Sequence, residues 1–202
     1  MRNRMLYVVL CCVLPLLLGV AVGTLVLQKP SSVQACPCAQ RTDTPQWDSY
    51  HWTTPGSVYV KKDFTPAQNT AYSGSLTQAI SDWNGAGTKV TFTEGTGTEQ
   101  VTVKGDTSDK PPGNATCSVL GQADGTLISA TIKLYDKNLI DSEKHRVHKQ
   151  NSIGHELGHS VGLDDHSSDK GALLYETCAS FHDCNISTPQ TDDKNGVKKI
   201  YP

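Results

Sequence analysis

HELGHSVGLDDH, residues 155–166, contains the residues on which the rest of this chain depends. His155 and His159 are four residues apart, so on a helix they lie one turn apart on the same face, and both imidazoles can reach one cation. Glu156 follows the first histidine. This position puts its carboxylate beside a bound metal, where it could take a proton from water and pass it on. The pattern predicts a metal site with a general base.

Gly162 comes three residues after His159, where the helix is expected to end and the chain to turn back, because glycine tolerates the positive φ of such turns. Asp165 and His166 follow, and either side chain can ligate zinc. Two imidazoles and one further ligand leave the fourth tetrahedral position to water, which is typical of a catalytic zinc site. Neighbouring side chains of an extended segment point to opposite sides, so only one of these two residues can face the metal.

The stretch resembles the zinc signature of the metzincin metalloproteases, H-E-x-x-H-x-x-G-x-x-H. In that spacing the third ligand falls on Asp165, and snapalysin, a small secreted metzincin-like protease, is similar in having Asp there with His directly after it. In contrast, HSSDKGALLY, from His166 to Tyr175, resembles the matrixin sequence that follows the third His, as if one residue were inserted at Asp164 or Asp165. We prefer Asp165 as the third ligand and keep His166 as the alternative.

The resemblance also implies a Met-turn, a methionine-containing loop beneath the zinc. The two methionines of the chain are Met1 and Met5, and Leu174 occupies the matching place. Leucine nearly conserves the volume of methionine in a core, so we expect this substitution to be tolerated. Tyr175, next in the chain, could either donate a hydrogen bond to a developing oxyanion or pack in the core.

The N-terminal composition predicts export. Arg2 and Arg4 precede an apolar run from Met5 to Leu27, which predicts a signal peptide or membrane anchor over residues 1–35. Residues 36–49 are expected to be a spacer and residues 50–202 a zinc metalloprotease catalytic domain. The protein is therefore expected to be secreted, or tethered to the outer face of the membrane by residues 5–27, and monomeric. The net charge of −2, without a basic block, argues against a nucleic-acid partner.

The cysteines fit an exported protein, in which disulfides can form. Cys178 and Cys184 would close a short loop and are the first predicted pair. Cys117 would then pair with Cys36 or Cys38. Two less favoured alternatives concern the N-terminal thiols: acylation of Cys36, and a cysteine cap on the zinc, which the resemblance to matrixins suggests.

Alternating β-branched and aromatic residues predict strands at residues 57–60, 89–93, 100–104 and 126–135. Thr65-Pro66 predicts the start of a long helix with one apolar face, and Thr188-Pro189 the start of a short C-terminal helix. Another helical pattern begins at Asp141 and leads into the zinc helix, whose buried stripe should be Ile153, Leu157 and Val161.

Residues 107–125 are rich in Gly, Pro, Asp and Asn and predict a long surface loop. Three aspartates at or near this loop could hold a structural calcium ion: Asp106, Asp109 and Asp124. Four remaining histidines are expected not to be ligands: His51, His145, His148 and His182. His145 and His148 are expected to face solvent.

The fold that these elements and the resemblance imply is α+β. It is a twisted, mostly parallel sheet with an antiparallel edge strand, packed against a long helix and the zinc-binding helix, with a short C-terminal helix. The resemblance further implies that residues 126–135 form the edge strand above the cleft. An open edge offers unpaired N–H and C=O groups that can bind an extended peptide.

The predicted function is a zinc-dependent endopeptidase that acts on extended protein or peptide substrates, with Zn²⁺ as cofactor and Glu156 as general base. The alternative is a zinc-holding binding or adhesion module without proteolytic turnover, which Leu174 and the ambiguous third ligand keep open. Amide hydrolysis of cell-wall peptides would use the same site and differ only in the cleft.

Overall fold

A computed structural model of the chain places all of its described residues within one structural unit, Ala35–Pro202. The described residues are 50–95, 100–108, 113–141, 145–166, 171–175 and 185–202. The predictions for residues 1–49 and for the Cys178–Cys184 pair lie outside this part of the chain. None of the helices in the described ranges is long and apolar enough to cross a bilayer.

A five-stranded sheet with the order β2-β1-β3-β5-β4 forms one layer of the fold. Its strands are β1 Val58–Asp63, β2 Phe92–Glu94, β3 Val101–Asp106, β4 Ala115–Gly121 and β5 Leu127–Tyr135. The β1–β2, β1–β3 and β3–β5 pairs are parallel, and β4 pairs with β5 in antiparallel fashion. The predicted α+β fold, with a mostly parallel sheet and an antiparallel edge strand, is confirmed.

Four helices accompany the sheet in the described ranges: α1 Pro66–Asn84, α2 Asp136–Leu139, α3 Arg146–His159 and α4 Thr191–Ile200. α1 begins with a capping box, in which the Thr65 hydroxyl accepts from the Gln68 N–H and the Gln68 side chain accepts from the Thr65 N–H. Trp83 of α1 donates from Nε1 to the carbonyl of Gly154 at 2.8 Å, which joins α1 to α3. The predicted stripe of α3 is fully buried.

The prediction that residues 126–135 form the edge strand was wrong. β5 lies between β3 and β4, and Ile132 and Leu134 are fully buried. The antiparallel edge strand is β4, which lies inside the segment predicted to be a loop. It leaves Val119 37% and Leu120 57% exposed. Strong alternation marked the strand with neighbours on both sides, whereas the exposed edge strand carried a weaker pattern between Gly-rich flanks.

Two local predictions also need correction. α4 begins at Thr191, after Gln190 as the N-cap, rather than at Pro189, and the Gln190 N–H donates to the Asp193 carboxylate at 2.7 Å. His148 does not face solvent. It is 3% exposed, because its ring packs beneath the segment that leads into β4, with Nε2 2.9 Å from the side-chain amide of Asn114.

Hydrogen bonds from the start of the described domain hold the C-terminal end of α3 in place. Trp52 donates from Nε1 to the Ser160 carbonyl at 2.8 Å, and its N–H donates to the Tyr201 hydroxyl at 3.0 Å. Gly162 follows with a φ of +94°, and a Cβ there would lie 2.2 Å from the carbonyl oxygen of Tyr50. The turn after α3 therefore requires glycine both for its backbone angle and for the close approach of Tyr50.

Candidate metal centre

Three of the predicted ligand residues meet at the end of α3. Nε2 of His155 and Nε2 of His159 are 3.0 Å apart. After Gly162 turns the chain back, Oδ1 of Asp165 lies 3.2 Å from the first nitrogen and 3.3 Å from the second. Among the His, Cys, Asp and Glu side chains of the described residues, these three lie close enough together to hold one metal ion.

Both imidazoles are oriented by backbone carbonyls. Nδ1 of His155 lies 2.9 Å from the carbonyl oxygen of Leu173, and Nδ1 of His159 lies 2.9 Å from that of Leu163. A carbonyl oxygen only accepts, so each Nδ1 carries the proton and donates it. Each Nε2 then faces the other and Asp165, and it can offer a lone pair to a metal once any proton on it is displaced, as in histidines that ligate metals.

The spacing of these donor atoms fits zinc. Bonds of about 2.0–2.1 Å in a tetrahedron place neighbouring ligand atoms about 3.3 Å apart. The three observed separations of 3.0, 3.2 and 3.3 Å are close to that value. Two nitrogen lone pairs and a carboxylate oxygen at such distances would repel one another without a proton or a cation between them. The donor set therefore matches a tetrahedral Zn²⁺ ion with one position left for water.

His166, the alternative ligand, points away from this trio. Its ring is 3% exposed, and Nε2 lies 3.2 Å from Oδ2 of Asp192 at the start of α4. Asp165 and His166 are neighbours in an extended segment, so their side chains lie on opposite sides of the chain. The geometry thus brings Asp165, rather than His166, to the two histidines of α3.

Glu156 lies beside the trio and is 7% exposed. Burial raises the pKa of its carboxyl group, while the neighbouring imidazoles of His155 and His159 partly oppose the rise. The backbone N–H of Cys117, on the edge strand β4, also acts to lower this pKa. The edge strand and the carboxylate beside the trio are therefore close together.

The fold and this site can now be compared with known proteins. The family model described as Matrixin, Peptidase_M10, matches residues 52–202, about three quarters of the chain. The chain belongs to the matrixin family. A segment of 47 residues, 23% of the chain, is also 53% identical to neutrophil collagenase of Homo sapiens. This match covers 10% of the collagenase. Membership of the matrixins supports a zinc metalloprotease in general terms.

Cys117 is a free cysteine among the described residues of this matrixin domain. Cys36 and Cys38, its predicted partners, lie outside those residues, so that pairing stays a prediction. Cys117 lies on β4 opposite Ile132 of β5, with its side chain largely enclosed. Burial, together with the nearby charge of Glu156, raises the pKa of the thiol well above its usual range. The sequence did not indicate that this cysteine lies beside the proposed general base.

Leu174 occupies the position that methionine has in the matrixin turn, and it packs under the zinc helix. A Cβ at Gly158 would lie 2.5 Å from Cδ2 of Leu174 and 3.1 Å from the ring of Trp83. Glycine at position 158 therefore leaves room for the leucine, which is 3% exposed. The hydrophobic floor beneath the histidines is filled without methionine.

The Leu173–Leu174 turn is held from below by α4. Asp193 is 3% exposed, and its carboxylate accepts the N–H groups of Leu173 at 2.9 Å, Leu174 at 3.1 Å and Gln190 at 2.7 Å. The carbonyl of Leu173 accepts from the His155 ring, and the N–H of Leu173 donates to Asp193. Asp193 therefore supports the proposed ligand His155 indirectly, through Leu173. No sequence pattern indicated these contacts.

Of the three aspartates of the predicted calcium site, the structure describes Asp106 and Asp124. Oδ1 of Asp106 accepts the N–H of Ser108 at 2.9 Å, and Oδ1 of Asp124 accepts the N–H of Thr126 at 2.9 Å. Each of these carboxylates thus caps its own turn. Asp109 lies outside the described residues, so calcium binding stays a prediction.

Protons should compete with the metal for His159. Burial lowers the pKa of this imidazole, but the carboxylates of Asp165 and Glu156 outweigh burial and raise its pKa to about 9. Below pH 9 the ring carries a proton that a cation must displace, so zinc affinity should rise about tenfold per pH unit up to that pH. Zinc titrations at pH 7 in buffers of different ionisation enthalpy should show about one proton released. Affinity independent of pH between 6 and 8 would contradict this prediction.

Proposed function

We propose that this protein is a zinc-dependent endopeptidase that cleaves extended protein or peptide substrates, with residues 50–202 as its catalytic domain. The proposal is carried by the convergence of His155, His159 and Asp165 beside the buried carboxylate of Glu156. Matrixin membership supports the same class of reaction. Residues 1–35 as a signal peptide or anchor, residues 36–49 as a spacer, and secretion as a monomer are part of this proposal.

His155 and His159, through Nε2, and Asp165, through Oδ1, would hold the zinc ion. When bound there, zinc would act as a Lewis acid that polarises the scissile carbonyl and makes water more acidic. A carboxylate as third ligand leaves the ion with less positive charge than a third imidazole would. His166 is not assigned as a ligand, since its ring contacts Asp192.

Glu156 would act as the general base and then as the acid. Its carboxylate would take the proton of the attacking water and deliver it to the leaving amine. Burial raises its pKa, so the group binds a proton more readily than a solvated carboxylate and can carry it between the two steps. The Cys117 N–H, which lies near this carboxylate, would help to orient it toward the cleft.

The β4 strand, rather than β5, would present the substrate-binding edge. β4 pairs with β5 on one side, and its exposed Val119 and Leu120 flank the free side. An extended peptide could add to this edge through backbone hydrogen bonds, which suit substrates of varied sequence. Tyr175 is half-buried after the Leu173–Leu174 turn, where an oxyanion contact or a packing role is open to it.

The test combines zinc content with cleavage of an unfolded protein. The purified chain should contain about one zinc ion and hydrolyse casein, a chelator should abolish hydrolysis, and added zinc should restore it. Casein cleavage that persists in excess chelator would contradict the proposed function. Retained zinc without cleavage of casein or of any peptide in a library would favour a binding or adhesion module.

A further inference from the structure

His166 and Asp192 form a buried contact on the far side of the segment that carries Asp165. The His166 ring is 3% exposed, Asp192 is 7% exposed, and Nε2 lies 3.2 Å from Oδ2. Asp192 is the second residue of α4, where a carboxylate is favoured by the helix dipole. Burying two such polar groups costs free energy unless they interact, and the 3.2 Å approach of the ring to the carboxylate is an ion-pair distance that joins this segment to α4.

The backbone of His166 is fixed as well. Its N–H donates to the Leu174 carbonyl at 2.6 Å, and it forms a parallel β-bridge with Tyr175. The N–H of Leu174 in turn donates to Asp193, the neighbour of Asp192. The two acidic residues at the start of α4 therefore hold both the segment with Asp165 and the turn that orients His155.

Asp165 itself lies in a less restrained setting. Its side chain is 47% exposed, and its N–H donates to the side chain of its neighbour Asp164 at 2.8 Å. The direction of this side chain depends on the backbone, and His166 is the adjacent residue with buried contacts. This half-exposed carboxylate reaches the two imidazoles while its backbone is held in the observed orientation.

We propose that His166 is a positioning residue, which by contacting Asp192 turns Asp165 toward His155 and His159. This inference rests on the zinc site of the proposed function. Outer contacts of this kind commonly change metal affinity about 10- to 100-fold when they are removed. Asp165 would then bind the zinc as a ligand, and His166 would hold the backbone of Asp165 in position.

The test is the zinc dissociation constant of the full-length chain, measured by competition with a chelator of known affinity. His166→Leu should raise this constant about 10- to 100-fold, and Asp165→Ala should raise it at least as much. The double variant should bind zinc no more weakly than Asp165→Ala alone, since His166 acts through Asp165. Further weakening in the double variant would indicate direct ligation by His166 and overturn the proposal.

Two matched variants separate positioning from general stability. His166→Gln keeps an N–H donor near the place of Nε2 and should recover most of the affinity. Tyr72→Phe removes a buried hydrogen bond to Asp136, on other elements of the fold, and should leave the zinc dissociation constant unchanged. An unchanged constant for folded His166→Leu, with only a lower melting temperature, would overturn the positioning role.

Should His166→Leu fail to fold, Asp192→Asn carries the test. It keeps the shape of the side chain but removes its charge, and we expect a several-fold weaker affinity for zinc. An unchanged affinity in Asp192→Asn would overturn the proposal. A wild-type chain that binds no zinc would overturn the proposed function as well, whereas the other outcomes concern the positioning role alone.

Discussion

Glu156→Gln should reduce casein cleavage by about 10²- to 10⁴-fold while the chain keeps its zinc. Glutamine preserves the size of the side chain, but it cannot take a proton from water. The three proposed ligands are unchanged, so the metal should remain. The measurement is initial cleavage rate per zinc-loaded molecule, with zinc determined in the same samples.

The matched control for this variant is Glu94→Gln. Glu94 lies on β2, where it contacts Lys62 at 2.6 Å, and is not among the residues of the site. Its replacement should leave the cleavage rate within twofold of the wild type. A Glu156→Gln variant that retains zinc and cleaves casein at the wild-type rate would contradict the role of general base.

Asp193→Ala should destabilise the domain severely and weaken zinc binding at the same time. The change leaves the N–H groups of Leu173, Leu174 and Gln190 without their acceptor. Each buried donor left unpaired costs about 1–3 kcal/mol. A loss of about 3 kcal/mol or more is large beside a total stability of about 5–15 kcal/mol. Thermal unfolding should therefore begin roughly 10 °C lower in a domain of this size.

The control for this second variant is Asp63→Ala, which removes an exposed carboxylate at the end of β1. It should change the free energy of unfolding by less than about 0.5 kcal/mol. Asp193→Asn should lie between the two, because its amide oxygen can keep part of the bonding. A melting temperature of Asp193→Ala equal to that of the wild type would show that the carboxylate does not hold the turn.

The position of the third proposed ligand illustrates the limit of local reasoning. Spacing favoured Asp165, while the matrixin-like run after it favoured His166, and both residues are good zinc ligands. The tertiary structure orients them: Gly162 turns the chain back toward α3, and Asp192 occupies the side that His166 faces. Asp192 is 26 residues away in the chain, so no short pattern could indicate the contact.

The sheet edge was misplaced for a similar reason. Alternation reports which face of a strand is buried, but not how many neighbouring strands it has. Leu127–Tyr135 alternates strongly and lies between β3 and β4, whereas Ala115–Gly121 alternates weakly and lies at the edge, so the pattern did not show which of the two strands had a free side. Pairing partners are set by contacts between distant residues, which local sequence does not record.

The sequence by itself determined the helical face that carries His155 and His159, the buried stripe beneath them and the glycine that ends the run. These features depend on the 3.6-residue period of a helix and on the conformational freedom of glycine, which are properties of neighbouring residues. Only the tertiary structure decided that β4 is the edge strand, that Asp165 meets the histidines, and that Asp193 holds the turn below them. Those results depend on side chains from distant parts of the chain competing for the same buried space and hydrogen-bond partners.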